Sequence, residues 1–169
     1  MRAARSRRAP TIGVTAFIAL AVIAYVVISR WFLGTAIVHG DSMVPTMNSG
    51  DRCLVNKFVY ALRDPLRGEI VCFRRPGEDY LSVKRIVALP GERIRIKDGR
   101  MWVRGEPLDE PYLPEWTADT SPKRLGTPVY EVAPASYFVL GDNRRGSADS
   151  RDFGAVHKGW ITGRVMLVF

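Results

Sequence analysis

A chain of 169 residues has room for one domain, or for one domain with an appendage. Hydrophobic residues make up 47% of it and charged residues 25%, a globular composition that excludes a disordered chain and a collagen-like fibre. Two cysteines are too few for a disulfide-built scaffold, and no Cys or His cluster has zinc spacing. A Gly-rich phosphate loop is also missing, so we expect neither a metal nor a cofactor.

The net charge of +8 is concentrated near the N-terminus. Five of the 25 basic residues lie in the first 30 positions, which contain no acid, so the other 139 residues carry 20 basic and 17 acidic side chains, a net charge of +3. A domain with so small an excess of positive charge is a poor candidate for binding the phosphates of a nucleic acid. The sequence therefore predicts no nucleic-acid partner.

The first predicted element is a membrane anchor. Residues Thr11–Ser29 form a run of 19 without a charge, which as a helix rises about 28 Å, close to the roughly 30 Å hydrocarbon core of a bilayer. Arginines precede the run, and aromatic residues suited to the membrane interface follow it. The positive-inside rule then predicts a cytoplasmic basic leader over residues 1–10, a single transmembrane helix over 11–33 and an extracytoplasmic domain over 34–169.

A cleaved secretory signal peptide is the alternative for this segment. Gly34 and Ala36 are small residues two positions apart, as a cleavage site requires. The apolar run is longer than the roughly 7–15 residues usual in such a peptide, which favours an uncleaved anchor. An extracytoplasmic location permits a disulfide between Cys53 and Cys72, and two buried free thiols are an equal alternative.

Beyond the anchor the pattern changes to short runs of β-prone residues separated by turn signals. The turn at Lys97–Gly99 predicts a hairpin, and no helical period is sustained after residue 34. We predict a mainly β, antiparallel domain with a small accessory β region at 92–140, in which the proline-rich stretch Glu106–Thr127 is a surface excursion. The predicted strands are Thr35–His39, Arg52–Val59, Glu69–Arg74, Tyr80–Leu89, Arg93–Lys97, Met101–Arg104, Pro128–Val132, Tyr137–Leu140 and Gly163–Phe169.

The segment from Gly40 to Met47 has the composition of a tight, stiff turn. Gly40 supplies backbone freedom, and Pro45 fixes the chain just beyond Ser42. Such a turn can present a hydroxyl together with backbone amides, which nucleophilic catalysis needs. Taken alone, the segment is more typical of an ordinary turn.

Lys84 is unusual because its strand neighbours are small or apolar. Period-2 alternation places it on one face with Ser82, Ile86 and Ala88, where loss of hydration favours the neutral amine. Lowering the pKa of a lysine from about 10.4 to about 8 costs about 3 kcal/mol, which proteins seldom carry without a use. The alternative is an edge-strand lysine whose amine reaches water.

A third polar segment, residues 141–151, follows an apolar strand. Asp149 and Arg151 can pair there, and Ser147 can bond a nearby amine. The alternative is a solvated charged loop. The two histidines, His39 and His157, have no setting that suggests a Ser-His-Asp triad, and we assign them structural roles.

Together these segments resemble the type I signal peptidases, membrane-anchored Ser-Lys proteases that remove signal peptides. Four motifs match in the family's order behind an N-terminal anchor, and they span nearly all of the outer domain. One motif alone would be weak evidence for the family, whereas four motifs in the family's order are highly specific. The matching residues are Ser42-Met43-x-Pro45-Thr46, Gly50-Asp51…Val55-Asn56-Lys57, Lys84-Arg85…Leu89-Pro90-Gly91-Glu92 and Gly141-Asp142-Asn143-Arg144…Ser147-Ala148-Asp149-Ser150-Arg151.

The resemblance implies a role for each matching residue. Ser42 would be the nucleophile, and Lys84 the general base whose neutral amine takes the hydroxyl proton. Ser147 would orient that amine, while Asp149 and Arg151 would hold its loop in place.

The resemblance also implies partners for the site. Asp142 would pair with Arg85, and the substrate cleft would be lined by Met43, with Val38 and Val83 as further candidates. The substrates would be signal peptides of exported preproteins, with small residues at the first and third positions before the cut. A largely antiparallel β fold with an apolar surface near the lipid bilayer is implied as well, and contact with the translocation machinery is consistent with that location.

One position departs from part of the family. Some members have a serine two residues before the nucleophile whose hydroxyl helps to bind the oxyanion, and here that residue is Gly40. The backbone N–H of Ser42 is one donor, and the sequence names no second. The accessory region is also short, because only 49 residues separate Gly91 from Gly141.

Three other functions compete with this interpretation. A specialised peptidase that matures one exported protein, such as a conjugation pilin, would use the same Ser-Lys chemistry. A membrane-anchored binding domain would be expected to have lost Ser42 or Lys84, and both are present. A self-cleaving repressor would need a helical DNA-reading domain before its Ser-Lys dyad, whereas this N-terminus is a long apolar run.

Overall fold

The computed structural model describes residues 11–116, 120 and 129–169, so the predicted basic leader at 1–10 lies outside the described residues. In chain order the elements are helix α1 (Thr11–Phe32), strands β1 (Leu33–Ile37) and β2 (Arg52–Asn56), helix α2 (Val59–Leu62), strands β3 (Ile70–Phe73), β4 (Ser82–Ala88), β5 (Arg93–Lys97), β6 (Arg100–Val103), β7 (Glu106–Pro107), β8 (Tyr130–Glu131) and β9 (Ser136–Leu140), helix α3 (Ser150–Phe153), strand β10 (Val156–His157), a 3-10 turn (Lys158–Trp160) and strand β11 (Ile161–Val168).

Helix α1 carries the apolar run of the N-terminus. It has 22 residues, and its large apolar side chains between Val14 and Val27 are exposed. Across the described residues, no helix combines the length and the apolar character needed to cross a membrane.

The larger sheet has seven strands in the order β1-β2-β11-β3-β4-β9-β10. All its pairings are antiparallel, which confirms the predicted mainly β, antiparallel class. Strand β4 lies between β3 and β9, and its residues from Lys84 to Ala88 are buried. The strict alternation expected for this strand is not observed, because consecutive residues from Lys84 onward are buried, so both faces of its second half are covered. A register shift lies between Ile86 and Ala88.

The smaller sheet has four strands in the order β7-β6-β5-β8. Strands β5 and β6 form the predicted hairpin, in which Asp98 and Gly99 have φ values of 51° and 71°, as a two-residue turn with left-handed residues requires. This sheet ends with β8 at Glu131, whereas β9 belongs to the larger sheet. The predicted accessory range of 92–140 therefore includes one strand of the larger sheet.

Two hydrophobic clusters hold the parts of the domain together. In the first, Val87 and Leu140 of the larger sheet pack with Met101 and Val103 of the smaller sheet. The second places Met43 and Met47, which flank the predicted serine turn, against a cluster that includes Val38, Cys53 and Cys72. Each methionine is almost completely buried, and this burial stabilises the position of the turn by roughly 1.5–3 kcal/mol per side chain.

Local side-chain hydrogen bonds explain where the structure departs from the predicted strands. The predicted strand Arg52–Val59 ends at Asn56, because Oδ1 of Asn56 accepts hydrogen bonds from the backbone N–H groups of Phe58 and Val59, where α2 begins. Helix α3 was not predicted from the sequence. Asp149 caps it and forms a capping box with Asp152.

The two cysteines are buried and free. Cys53 lies on β2 and Cys72 on β3, the two strands that flank β11. The structure therefore favours the second of the two alternatives, a pair of buried thiols.

Candidate active site

Ser42 lies in the turn that connects β1 with β2. Beside β1, Val38 is paired with the returning chain, donating a backbone hydrogen bond to Asp51 (2.9 Å) and accepting one from Gly50 (2.9 Å). Gly40 has a φ of 81°, a left-handed conformation that side chains disfavour, which is the backbone freedom expected of this position. The neighbouring Met43 anchors the turn in the core, so the Ser42 hydroxyl is held on a fixed support.

Lys84 is brought to this turn by strand β4. Its Nζ lies 2.8 Å from Oγ of Ser42 and 3.0 Å from the backbone oxygen of Val83. The residue is only 6% exposed, so the alternative of an edge-strand lysine with a solvated amine is wrong. A hydroxyl and an amine at this distance are in the arrangement that proton transfer between them requires.

The residue after Lys84 ties β4 to the loop that follows β9. Arg85 forms an ion pair with Asp142, with Nε 2.9 Å from Oδ1 and Nη2 2.6 Å from Oδ2. Asp142 also accepts a hydrogen bond of 2.5 Å from Oγ1 of Thr46. One buried carboxylate thus joins the lysine strand, the polar loop and the serine turn.

The polar loop is folded on itself by a second buried pair. Arg151 donates from Nε and Nη2 to the two carboxylate oxygens of Asp149, each at 2.8 Å, and neither side chain is more than 1% exposed. Nη2 of Arg151 also bonds the backbone oxygen of Arg144 at 2.5 Å, and Asp149 accepts from the N–H of Gly141 at 3.2 Å. The segment is therefore a buried, structured loop, and the alternative of a solvated charged loop is wrong.

Ser147 lies in this loop, against the backbone of Gly141. A Cβ placed on Gly141 would lie 2.2 Å from Oγ of Ser147 and 2.3 Å from the backbone oxygen of Ser42. The absence of a side chain at Gly141 lets the loop and the serine turn approach each other, and Ser147 is buried at this junction.

Asn143 makes a further connection to which the sequence analysis gave no role. Its backbone N–H donates to the oxygen of Ser42 (3.1 Å), and its side-chain Nδ2 donates to the oxygen of Asp41 (3.0 Å). Its presence in the fourth matching motif was the available signal. Asn143 thus holds the carbonyl groups of the peptide bonds before and after Ser42.

A cleft of about 340 Å³ opens beside Ser42 and Lys84. All three predicted substrate-lining residues, Val38, Met43 and Val83, lie in its wall. Further wall residues include Ile37, Leu81, Ala148 and Phe153. Polar side chains, His39, Arg75, Tyr80 and Ser82, complete the wall, so the cleft presents both apolar and polar surface around the hydroxyl and the amine.

Gly40 and the two histidines are the other residues that the sequence analysis considered for catalysis. The N–H of Gly40 donates to Oγ of Ser49 at 3.1 Å, so it is engaged within the turn. His39 is exposed at the cleft wall, and Nδ1 of His157 accepts a backbone hydrogen bond from Gly159 at 3.1 Å.

A second depression lies away from the candidate residues. A depression of about 420 Å³ on the smaller sheet is lined by basic, apolar and aromatic side chains, among them Arg95 and Trp102, and does not include Ser42 or Lys84. Within residues 11–116, 120 and 129–169, no group of three or more His, Cys, Asp or Glu side chains is arranged to hold a metal ion.

Comparison with known proteins relates the whole described chain to one family. The model of the family described as "Signal peptidase, peptidase S26" matches residues 11–169. A signal peptidase I of Bacillus caldolyticus is 38% identical over 158 residues, which cover 88% of this chain and 85% of that protein. Signal peptidase I S of Bacillus subtilis is 34% identical over 158 residues, with 90% and 85% covered.

A solved structure agrees with the sequence relatives. The crystal structure of a signal peptidase I from Enterococcus faecalis is 31% identical, covers 62% of this chain and 98% of its own, and superposes with a TM-score of 0.51. The resemblance noted in the four motifs is thereby confirmed. The chain belongs to the signal peptidase family S26, a family of serine endopeptidases.

Proposed function

We propose that this chain is a membrane-bound signal peptidase that cleaves N-terminal signal peptides from exported preproteins with a Ser42–Lys84 dyad. The observation that carries the proposal is the 2.8 Å distance between Nζ of the buried Lys84 and Oγ of Ser42, at the wall of a cleft. The signal peptidases among its relatives support the substrate class.

In the proposed first step, Oγ of Ser42 attacks the carbonyl carbon of the scissile peptide bond. The neutral amine of Lys84 takes the hydroxyl proton as the new C–O bond forms. The oxyanion that develops accepts a hydrogen bond from the N–H of Ser42. Collapse of this intermediate breaks the C–N bond, and the lysine ammonium gives its proton to the leaving amine, which becomes the N-terminus of the mature protein.

In the second step, water releases the signal peptide from Ser42. Lys84, neutral again, takes a proton from the water, which attacks the ester carbonyl, and the ammonium then protonates Oγ of Ser42. We assign Ser147 to orient the amine, and Asp149 and Arg151 to hold its loop. The burial of all three side chains supports a fixed loop of this kind.

We propose that the substrate cleft selects small side chains. Val38, Met43 and Val83 form apolar walls close to the dyad. Overlap of a bulky residue with a packed wall costs more than the loss of one favourable contact. Signal peptides with alanine or a similarly small residue at the first and third positions before the cut fit this arrangement.

We also propose a single-pass topology, with residues 1–10 in the cytoplasm, an anchor at 11–33 and the peptidase domain at 34–169 outside. This part rests on the sequence, in which 19 uncharged residues follow four arginines. Protease added to cells without an outer barrier should digest the domain and spare the leader. A mature, soluble protein that begins near Ile37 would overturn the anchor.

The decisive experiment mixes the full-length chain in detergent with a labelled preprotein. We expect one cut after a small residue, identified by mass spectrometry of the product, and no product with Ser42→Ala. An intact precursor in the presence of folded protein would refute the proposal. Depletion in the source cell then separates two substrate ranges, because many unprocessed precursors indicate a general peptidase and one indicates a specialised maturation peptidase.

A further inference from the structure

The proline-rich stretch expected to be a surface excursion sends side chains to the active-site loop. We call residues 108–116 the accessory strap. Its start is fixed to the smaller sheet, since the N–H of Leu108 donates to the oxygen of Met101 at 2.8 Å. From there two of its side chains, Glu110 and Tyr112, contact arginines of the catalytic half of the molecule. The described residues 106–116 are exposed or half-buried, as expected of a surface excursion, and the sequence did not indicate these two contacts.

Glu110 of the strap pairs with Arg144, which has no exposed side-chain surface. Nη1 of Arg144 donates to Oε2 of Glu110 at 2.9 Å, and Nη2 donates to Oε1. Two further N–H groups of the guanidinium bond Oγ1 of Thr120 at 2.6 Å and the backbone oxygen of Gly141 at 3.1 Å. Burial opposes the charge on the guanidinium, and the carboxylate of Glu110 more than offsets this and raises the pKa of Arg144.

Tyr112 of the strap covers the second arginine. The guanidinium carbon of Arg85 lies 3.9 Å from the centroid of the Tyr112 ring, a cation–π contact with a cation that is almost excluded from water. The N–H edges of the Arg85 head group are held by Asp142 and by the backbone oxygen of Gly68 at 2.9 Å. The ring therefore covers one face of the residue that follows Lys84.

The two contacts form one unit, because the hydroxyl of Tyr112 donates to Oε1 of Glu110 at 2.7 Å. Burial, together with the adjacent carboxylate, raises the pKa of Tyr112, so the phenol keeps its proton and remains a donor. Tyr112 and Glu110 thus bridge Arg85 on the lysine strand and Arg144 in the loop that carries Ser147.

We propose that Tyr112 and Glu110 are positioning residues for the dyad. They act through Arg85 and Arg144 and set the distance between the lysine strand and the loop around Ser147. This inference extends the proposed function, and the role of the two residues in cleavage rests on that function. Displacement of a catalytic group by about 1 Å can cost about 100-fold in rate, so a contact of this kind affects turnover more than binding.

The test compares Tyr112→Leu with Tyr112→Phe, which keeps the ring over Arg85 and loses only the hydroxyl. The matched control is Trp116→Leu, because Trp116 is an aromatic residue of the same strap that is 62% exposed. For each full-length variant in detergent, kcat, KM and the pH dependence of kcat/KM are measured on a preprotein. Acetylation of Ser42 by p-nitrophenyl acetate, followed by mass spectrometry, reports on the dyad without a signal peptide.

We expect Tyr112→Leu to lower kcat by about 10–100-fold, to leave KM within about 2-fold and to shift the rising limb of the pH profile. Tyr112→Phe keeps the ring over Arg85 but loses the hydrogen bond to Glu110, so its kcat should lie between those of Tyr112→Leu and the wild type, and Ser42 acetylation should slow in parallel with kcat in each variant. Glu110→Gln should behave as Tyr112→Leu does.

Two outcomes separate this inference from the proposed function. If Tyr112→Leu matches Trp116→Leu in kcat, pH profile and Ser42 acetylation, and differs only in melting temperature, the residues are structural and the inference is overturned. If the wild-type chain cleaves no signal peptide but its Ser42 is acetylated in a Lys84-dependent reaction that Tyr112→Leu slows, the proposed substrate fails and the positioning role stands.

Discussion

Arg85 and Asp142 form an ion pair whose side chains are 10% and 0% exposed, at the point where the lysine strand meets the polar loop. Asp142 is shared with Thr46 of the serine turn, so the pair connects three segments that are far apart in the sequence. Removal of one partner leaves a buried charge without compensation, which typically costs about 3–5 kcal/mol.

We therefore expect Asp142→Asn, which removes the charge and keeps the shape, to lower the free energy of unfolding by about 3 kcal/mol or more. Urea unfolding in detergent measures the change. The control is Glu131→Gln, which breaks the pair between Arg93 and Glu131, whose side chains are 73% and 62% exposed. That variant should change the free energy of unfolding by less than about 1 kcal/mol, and equal losses in the two variants would contradict the prediction.

A second prediction concerns the close approach of the loop to the serine turn. In Gly141→Ala the new Cβ would meet Oγ of Ser147 at 2.2 Å and the backbone oxygen of Ser42 at 2.3 Å, so both must move. We expect kcat to fall by about 100-fold, as for other displacements of catalytic groups by about 1 Å. Gly159→Ala is the control, since its Cβ meets the His157 ring at 3.2 Å, and it should keep its activity. Similar rates for the two variants would exclude a role for this approach.

The strands and the hairpin were accessible from the sequence because their signals are local. Strand β5 begins and ends at the predicted residues, Arg93 and Lys97, since alternation and turn chemistry agree there. Strand β2 ends earlier than predicted because the Asn56 side chain bonds the backbone two and three residues ahead. Such competition between a side chain and the backbone hydrogen bonds of a strand leaves little trace in the hydrophobic pattern of the sequence.

The contacts within the site join residues that are far apart in the sequence, so few of them can be predicted from the sequence alone. Ser42 and Lys84 are 42 positions apart, and their pairing was expected only from the family resemblance. Glu110 and Arg144 are separated by 34 positions, and Glu110 lies in a proline-rich stretch without a core pattern. Nothing local indicates that Glu110 and Tyr112 contact the site, because their partners are arginines far away in the sequence.

The third prediction concerns the two thiols. Burial, and then the neighbouring Cys53, raises the pKa of Cys72 to about 12, and burial also raises the pKa of Cys53. Since the thiolate is the reactive form, both residues should be inert to Ellman's reagent at pH 8 in the folded protein and should react after unfolding. Activity should be the same with and without dithiothreitol. A mass 2 Da below that of the reduced chain would show a disulfide and overturn the prediction.

The fourth prediction tests the cleft wall. If Val83 limits the size of the residue before the cut, Val83→Ala should raise kcat/KM for a precursor with valine or leucine there, relative to alanine, by about 10-fold. The Val83 carbonyl that contacts Lys84 is part of the backbone and is kept in this variant. The control is Val129→Ala, because Val129 lines the depression on the smaller sheet instead of the cleft. Equal selectivity in both variants would remove Val83 from the specificity site.

The last prediction separates a Ser-Lys dyad from a histidine-dependent hydrolase. Lys84 can take the Ser42 proton only when neutral, so activity should rise with pH through an apparent pKa above that of free histidine, about 6.5, and below that of free lysine, about 10.4. Lys84→Arg should abolish turnover although it keeps the charge, because the guanidinium stays protonated over this range. His39→Ala and His157→Ala, alone or together, should keep most of the activity when kcat/KM is measured on one preprotein. Turnover by Lys84→Ala, or its loss in a folded double-histidine variant, would overturn the mechanism.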